Sequence, residues 1–458
     1  MAEPKKRRRV AFATPDPGCE ANQCIEISLV SSKEEAEAGT GFCVKPVDLN
    51  NFFDDEDGKI YGYQGLKITV LVSSVSFHVY ANVTYESVSD GGKGITDLKT
   101  ALQNMFGENI VEKKDEFLQT FSTESQYIWS IVSSGERLYE NASALRSADL
   151  CHSDAKALVT EVTRLNVGDP QVGHLYSRLV PLVLLLVDGS NPIEVTDSQW
   201  ELYLLVQKTI NEGQVSEARL LGFAAVYRFY HYPDSSRLRL SQILISPPYQ
   251  RQGYGIGLLE TITKAAAAEN VYDFTIEEPL DSLQRVRDII DVPRLLACES
   301  VKRAVDEAVL YLKEANLSKR TQVSELRPPL SASEEVRKSL KINKKQFSHC
   351  WEILIYLALD PVEKYLQNYK IFISDIVKAN VLGKDSGTNG KRVTEVPSDY
   401  NEEMSFVMYK SQNGEGISID VDENQVNQEQ QLQQLVDERL NEIKYIAQKV
   451  SEKKVTKE

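Results

Sequence analysis

Residues 240–260 contain a pattern suited to binding an anionic group. An apolar run up to Ile245 predicts a strand, and residues 256–269 predict a helix. The loop between them has three glycines at alternate positions, Gly253, Gly255 and Gly257. A helix N-terminus offers unpaired backbone N–H groups and partial positive charge, and glycines let a ligand approach the main chain closely. The loop is therefore predicted to bind a phosphate or pyrophosphate.

Two well-known nucleotide-binding loops differ from this one. A Walker loop places Lys and then Ser or Thr after its last glycine, where this chain has Leu258 and Leu259. A dinucleotide fingerprint needs its third glycine at the position of Leu258. Hydrolysis of a nucleoside triphosphate and binding of a dinucleotide are therefore both disfavoured.

Two adjacent carboxylates, Glu277 and Glu278, follow a predicted strand at 271–276. Ligands of open α/β sheets tend to bind at the carboxyl ends of strands, so one of these groups could act as a general base. Neighbouring residues of an extended chain point to opposite sides, so both cannot face the same pocket. The alternative is a pair of solvated residues before Pro279.

The charge balance favours a cationic partner. Asp and Glu number 67 against 52 Lys and Arg, a net charge of -15, which argues against nucleic acid as the main partner. The basic run 4–10 is an exception, and it is typical of nuclear targeting or polyanion binding, with a solvated tail as the alternative. No apolar stretch is long enough to span a bilayer, so no membrane association is predicted. The six cysteines and five histidines lack metal-ligand spacing, which predicts free thiols and no metal.

The loop sequence 250–255 resembles the Gln/Arg-x-x-Gly-x-Gly/Ala signature of the N-acetyltransferase superfamily. Further segments are similar to the catalytic subunits of histone acetyltransferase type B, namely 62–67, 227–234, 239–242, 277–279 and 340–344. The resemblance implies that acetyl-CoA is the acetyl donor. It further implies that the pyrophosphate lies against the loop and the pantetheine arm against the strand, through Ile243, Leu244, Ile245, Gln250, Arg251, Gln252, Gly253, Tyr254, Gly255 and Ile256.

The resemblance also implies roles for acidic and aromatic residues. A lysine ammonium, with an ordinary pKa near 10.4, must lose a proton before it can attack a thioester, and Glu277 matches the general base of the family. Glu278 matches an adjacent acidic position, and Asp188 matches a third carboxylate that is Glu in other members. From the residues alone, the alternative for Asp188 is a turn residue or a helix terminator. The implied contacts with the tail of histone type 4 are Asp55, Glu56, Asp57, Trp200, Tyr227, Arg228 and Phe229.

The predicted fold class is α/β (α+β), with a central mixed-sheet N-acetyltransferase domain between a small β-rich N-terminal domain and a helical C-terminal domain. The predicted domains are a disordered basic tail 1–22, an N-terminal α/β domain 23–150, an acetyl-CoA-binding domain 151–290, a helical domain 291–383, a disordered acidic linker 384–425 and an amphipathic helix 426–458. Residues 134–169 are polar and predict an irregular linker or insertion. The final helix could pack on its own domain or bind a partner.

The function predicted from these observations is acetylation of lysines in the tail of free, newly synthesised histone type 4. Family resemblance implies a WD-repeat histone-binding subunit as partner and both a nuclear and a cytoplasmic pool. Two alternatives remain open at this point. One is an N-acetyltransferase for another amine, such as a polyamine or a protein N-terminus, and the other is a histone-binding scaffold without turnover.

Overall fold

A computed structural model describes residues 17–49, 52–53, 58–90, 93–144, 157–187, 189–211, 214–269, 271–314, 326–382 and 421–455. The chain forms two compact units, Met1–Leu280 and Asp281–Glu458. Asp55, Glu56, Asp57, Asp188, the basic run 4–10 and residues 383–420 lie outside the described residues. Within the ranges described, no helix is both long enough and apolar enough to cross a membrane.

The first unit alternates short helices with two larger sheets. Its strands are β1 (Cys19–Glu20), β2 (Ile25–Val30), β3 (Phe42–Val44), β4 (Lys59–Ile60), β5 (Tyr63–Gln64), β6 (Lys67–Ser73), β7 (Val79–Thr84), β8 (Ser87–Val88), β9 (Glu136–Ala144), β10 (Ala157–Asn166), β11 (Trp200–Asn211), β12 (Gln214–His231), β13 (Ser235–Ile245) and β14 (Val271–Ile276). Its helices are α1 (Ala21–Cys24), α2 (Lys33–Ala38), α3 (Leu98–Phe106), α4 (Lys114–Thr123), α5 (Tyr127–Val132), α6 (Pro170–Leu186) and α7 (Tyr254–Ala268).

The central sheet of this unit has the strand order β14-β13-β12-β11-β10-β9 among the described residues. Neighbouring strands are antiparallel except β13 and β14, which are parallel and are joined through α7. Parallel neighbours need a crossover connection, and the alanine-rich α7 supplies it. A smaller sheet of order β3-β2-β6-β7 forms the N-terminal part.

Both faces of the central sheet are covered. On one face, Leu202, Leu204 and Leu244 share an apolar core with Leu175 and Leu179 of α6, and we call this the α6 face. Helix α7 packs against β11, β12, β13 and β14 on the other face, where Leu258, Leu259 and Ile262 are buried. Several consecutive positions in the middle of β11 and of β12 are buried and apolar, as expected for strands covered on both faces.

The predicted irregular linker at 134–169 is wrong, because β9 and β10 lie in it. β9 is the edge strand and its described side chains are largely exposed, so it carries polar residues. β10 contains a buried carboxylate, Glu161, which pairs with Lys208 of β11, itself only 6% exposed at the side chain. The sequence therefore did not predict β9 and β10, because their charged residues are either exposed to solvent or paired with a residue of another strand.

The second unit is helical. It contains α8 (Asp281–Leu296), α9 (Glu299–Glu314), α10 (Leu330–Leu340), α11 (Lys344–Ala358), α12 (Glu363–Leu382) and α13 (Val421–Val455). The chain breaks between α10 and α11, because Lys341 takes a left-handed φ of 59° and Asn343 caps α11 by accepting from the Gln346 N–H.

The final helix packs on its own unit. Val436, Ile443, Ile446 and Val450 of α13 are buried in one core with residues of α8, α9 and α11, and α13 contacts α8, α11 and α12. Of the two alternatives for this helix, the structure supports intramolecular packing. The predicted architecture, a mixed central sheet with a small β-rich N-terminal part and a helical C-terminal part, is confirmed, whereas the individual domain boundaries stay predictions.

Candidate functional site

The glycine loop forms a tight turn between β13 and α7. A 3-10 turn at Pro247–Tyr249 follows β13, and α7 begins at Tyr254. Arg251 and Gly253 have left-handed φ angles of 62° and 87°. The Gln250 side-chain amide donates to the Ile245 carbonyl at 2.9 Å, which braces the turn against the end of the strand. The predicted residues Gln250, Arg251, Gln252, Gly253, Tyr254, Gly255 and Ile256 all lie in this turn or in the first residues of α7.

The turn suits a diphosphate. The first N–H groups of a helix have no intrahelical acceptor, so the amides at the start of α7 are available to an anion. A Cβ atom added at Gly253 would meet nothing within 4 Å, so the space beside this residue is open. A non-glycine residue in the left-handed region is uncommon, and its occurrence at Arg251 fits a backbone held in a binding conformation. These residues fit the pyrophosphate of coenzyme A.

Strand β13 parts from β14 halfway along its length. The last paired residues are Leu240 and Ile276, and one more backbone bond joins the Glu277 N–H to the Leu240 carbonyl at 2.9 Å. Beyond this point, Ile243, Leu244 and Ile245 pair only with β12 among the described strands. Their other backbone edge faces the opening between β13 and β14. An exposed strand edge can hydrogen-bond an extended chain with amide groups, and the pantetheine arm is one.

A β-bulge accompanies the parting of the two strands. Ala225 pairs with Gln242 and Val226 pairs with Leu240, so Ser241 is the extra residue of β13. A bulge bends its strand and re-aims the neighbouring side chains. Here it gives the adjacent residues Ser241 and Gln242 different partners, Glu277 on β14's end and Tyr176 on α6.

Glu277 lies at the mouth of this opening. Its Oε2 atom accepts a hydrogen bond of 2.6 Å from the Ser241 hydroxyl and is 3.6 Å from the Arg239 Nε atom. The side chain of Glu277 is 44% exposed, so the carboxylate is held yet reachable from solvent. Glu278, in contrast, has a left-handed φ of 33° that turns the chain out of the strand.

Three aromatic rings lead across the sheet toward Glu277. The ring centroids of Trp200 and Tyr227 are 4.8 Å apart, and those of Tyr227 and Phe229 are 4.5 Å apart. The Arg239 guanidinium lies 4.3 Å from the Phe229 ring centroid, and Tyr227 is directly opposite Arg239 in the strand pairing. We call Trp200, Tyr227 and Phe229 the aromatic row. It connects three of the predicted substrate residues to the surroundings of Glu277.

Arg228 is not brought into the aromatic row. Its guanidinium donates to Glu201 at 2.6 Å and to Glu269, at the end of α7, at 2.8 Å. Arg164 pairs with the same Glu269. Burial alone would lower the pKa of Arg228, but the two carboxylates outweigh it and raise this pKa. The charge of Arg228 is therefore balanced on the α7 side of the sheet, away from Trp200.

For four residues that lie at or beside the candidate site, the sequence predicted no role. They are Asp197, Arg239, Ser241 and Gln242. Ser241 and Gln242 fall in a segment similar to the type B enzymes, but nothing in their spacing indicates a bulge. The Tyr227 hydroxyl donates to Asp197 at 2.9 Å, a contact between residues 30 positions apart that local sequence cannot reveal. No group of three or more His, Cys, Asp or Glu among the described residues could hold a metal ion.

Comparison with known proteins identifies the family. A model described as "Histone acetyl transferase HAT1 N-terminus" matches residues 17–188, and one described as "Acetyltransferase (GNAT) family" matches residues 192–284. The histone acetyltransferase type B catalytic subunit of Arabidopsis thaliana is 54% identical over 98% of this chain and 96% of its own length. The protein of that name from Zea mays is 49% identical over 98% of this chain and 94% of its own length. The chain therefore belongs to the family of histone acetyltransferase type B catalytic subunits, which are acetyl-transferring enzymes of the N-acetyltransferase fold.

Proposed function

We propose that this enzyme transfers the acetyl group of acetyl-CoA to lysine side chains in the N-terminal tail of free, newly synthesised histone type 4, with Glu277 as general base. The observation that carries the proposal is the position of Glu277. Its carboxylate stands at the opening between β13 and β14, next to Ser241 and at the end of the aromatic row. The anion-binding turn lies at the other end of the same strand edge.

The proposed chemistry is direct transfer. Glu277 accepts a proton from the lysine ammonium, and the neutral amine then bonds to the thioester carbonyl carbon. The carbon–sulfur bond breaks, the attacking nitrogen loses a second proton to give the amide, and the sulfur takes up a proton so that coenzyme A leaves as the thiol. The Ser241 hydroxyl orients the Glu277 carboxylate by its 2.6 Å hydrogen bond, so the base is positioned before the substrate arrives. No covalent acyl-enzyme is required.

The proposed acceptor is a basic peptide. The chain has a net charge of -15, which attracts a cationic tail, and the aromatic row offers surfaces for the apolar stems and cationic heads of lysines. We extend to this chain the family's WD-repeat histone-binding partner and its nuclear and cytoplasmic distribution. Asp55, Glu56, Asp57 and Asp188 stay predicted contributors to this site.

The test compares the wild type with Glu277→Gln and Glu278→Gln. Radiolabelled acetyl transfer to free histones is measured, and acetyl-CoA binding is measured separately by calorimetry. Glu277→Gln should lower kcat by roughly two orders of magnitude, the scale of a lost general base, while coenzyme affinity stays within twofold. The matched Glu278→Gln should retain most activity. Equal rates for the wild type and Glu277→Gln would show that another carboxylate is the base. If the wild type labelled other histones but not histone type 4, the proposed substrate would be rejected.

A further inference from the structure

A buried polar contact joins α6 to the bulge of β13. The Tyr176 hydroxyl donates to the Gln242 side-chain oxygen at 2.9 Å, and the same hydroxyl accepts the backbone N–H of Ile193 at 3.0 Å. The Gln242 side-chain nitrogen donates to the Asn191 carbonyl at 2.6 Å. Tyr176 is 0% exposed and Gln242 is 5% exposed, so these bonds are made away from solvent. We call Tyr176 and Gln242 the polar relay.

The relay holds the first half of the chain segment between α6 and β11. This segment, residues 189–199, contains no helix or strand and is largely exposed. Its second half is attached elsewhere: the Tyr227 hydroxyl donates to Asp197 at 2.9 Å, and the Asn166 side chain donates to the Ser198 carbonyl at 2.8 Å. Each half of the segment therefore has its own anchor, and the relay is the anchor nearest to the bulge.

The two anchors place the segment beside the reaction site. Gln242 is adjacent to Ser241, which contacts Glu277, and Tyr227 belongs to the aromatic row. The segment thus borders the surface between the row and Glu277 on the α6 face. A peptide that presents a lysine to Glu277 along the row meets this segment.

We propose that the polar relay is a positioning device that fixes segment 189–199 for binding of the acceptor peptide and takes no part in the chemistry. The proposal rests on the proposed function, because it assumes that the acceptor approaches Glu277 along the aromatic row. Fixing the segment in advance removes the entropy cost of ordering it when the peptide binds. Tyr176 and Gln242 therefore determine affinity for the acceptor, while Ser241 and Glu277 determine the rate of transfer.

Tyr176→Phe removes the relay hydroxyl and leaves the ring in the core. Tyr203→Phe is a matched control, because Tyr203 is also 0% exposed and its hydroxyl donates to Glu201 at 3.0 Å, away from segment 189–199. Gln242→Met, which keeps the side-chain length and loses the bond to Asn191, is a second relay variant. All three variants are first compared with the wild type in thermal melting.

The experiment measures kcat and both KM values with acetyl-CoA and an N-terminal peptide of histone type 4. Tyr176→Phe and Gln242→Met should raise the peptide KM by about five- to tenfold, the scale of one or two neutral hydrogen bonds, with kcat and the acetyl-CoA KM within about twofold. Tyr203→Phe should leave the peptide KM unchanged. A peptide KM that is unchanged in the relay variants, or raised equally in Tyr203→Phe, would overturn the proposal.

Hydrogen exchange separates this proposal from the proposed function. The Ile193 amide should exchange about fivefold faster in Tyr176→Phe than in the wild type or Tyr203→Phe, whatever amine the enzyme acetylates. Equal exchange in the three proteins rejects the relay as an anchor even if Glu277→Gln is inactive. Faster exchange of the Ile193 amide in Tyr176→Phe, together with full activity of Glu277→Gln, would reject Glu277 as the general base and support the relay as an anchor.

Discussion

The Ser241 hydroxyl donates a hydrogen bond of 2.6 Å to the carboxylate of Glu277, a residue 36 positions later in the chain. The contact exists because Ser241 is the extra residue of a β-bulge on β13 and Glu277 follows the last paired residue of β14. The bulge of β13 and the end of its pairing with β14 therefore fall at the same point, and there the Ser241 hydroxyl orients the proposed base.

Replacement of Ser241 by Ala should lower kcat about tenfold, because the Glu277 carboxylate loses a charge-assisted hydrogen bond that restricts its orientation. Ser241→Thr keeps a hydroxyl and should recover most of that loss. Ser177→Ala is the control, since Ser177 is exposed and its hydroxyl donates to the Gly173 carbonyl within α6. Steady-state kinetics check the prediction, and a Thr variant as slow as the Ala variant would contradict it.

Replacement of Gly253 by Ala should raise the KM for acetyl-CoA about tenfold. The φ of 87° at this position costs an L-residue roughly 1–2 kcal/mol, so the turn and its amides shift to relieve the strain. Gly39→Ala is a matched control, because Gly39 also has a positive φ of 66° with open space around its Cβ position, at the end of α2. Both variants should lose stability, and only Gly253→Ala should bind acetyl-CoA more weakly in calorimetry.

The pairing of Glu269 with Arg164 and Arg228 should make stability depend on pH. Burial by itself would raise the pKa of Glu269, but the two guanidinium groups outweigh it and lower this pKa below the ordinary 4.5. A carboxylate with a lowered pKa stabilises the fold above its ordinary pKa, and this contribution is lost as the pH falls through the folded-state value.

Glu269→Gln should therefore reduce the free energy of unfolding by about 2 kcal/mol at pH 7, and the difference from the wild type should shrink near pH 3. Urea unfolding at the two pH values measures it. Glu37→Gln, which removes an exposed partner of Lys33, should have little effect at either pH. A Glu269→Gln deficit that is equal at pH 3 and pH 7 would show that the ion pairs are not its cause.

Removal of Arg439 should destabilise the second unit strongly. Arg439 of α13 donates to Glu352 of α11 at 2.7 Å, with the two side chains 13% and 8% exposed. Arg439→Met leaves the Glu352 carboxylate buried without this partner, which costs about 3–5 kcal/mol. Replacing both residues by Met should recover much of the loss, whereas Lys449→Met at an exposed pair should change little. Thermal melting of the full chain distinguishes the four proteins.

The central elements could be predicted from local sequence. The predicted strand ending at Ile245, the predicted helix 256–269 and the predicted strand 271–276 agree with β13, α7 and β14 to within a few residues. Strands β9 and β10 could not be recognised in the same way, because Glu161 is buried by virtue of Lys208, a partner 47 positions away. A pattern of apolar residues predicts a buried strand, but it does not predict a strand whose buried side chains are paired charges.

The candidate site likewise combines local sequence features with contacts between residues far apart in the chain. Glycines at fixed spacing before a helix, and carboxylates just after a strand, are local features, so the glycine turn, Glu277 as a candidate base and the family resemblance could all be predicted from the sequence. Only the folded chain shows which residues meet: Ser241 with Glu277, Arg228 with Glu201 and Glu269, and Tyr176 with segment 189–199. These contacts join residues far apart in the chain, and they depend on strand register and on which face of the sheet each side chain occupies. A one-residue bulge changes both, and no local spacing in the sequence records it.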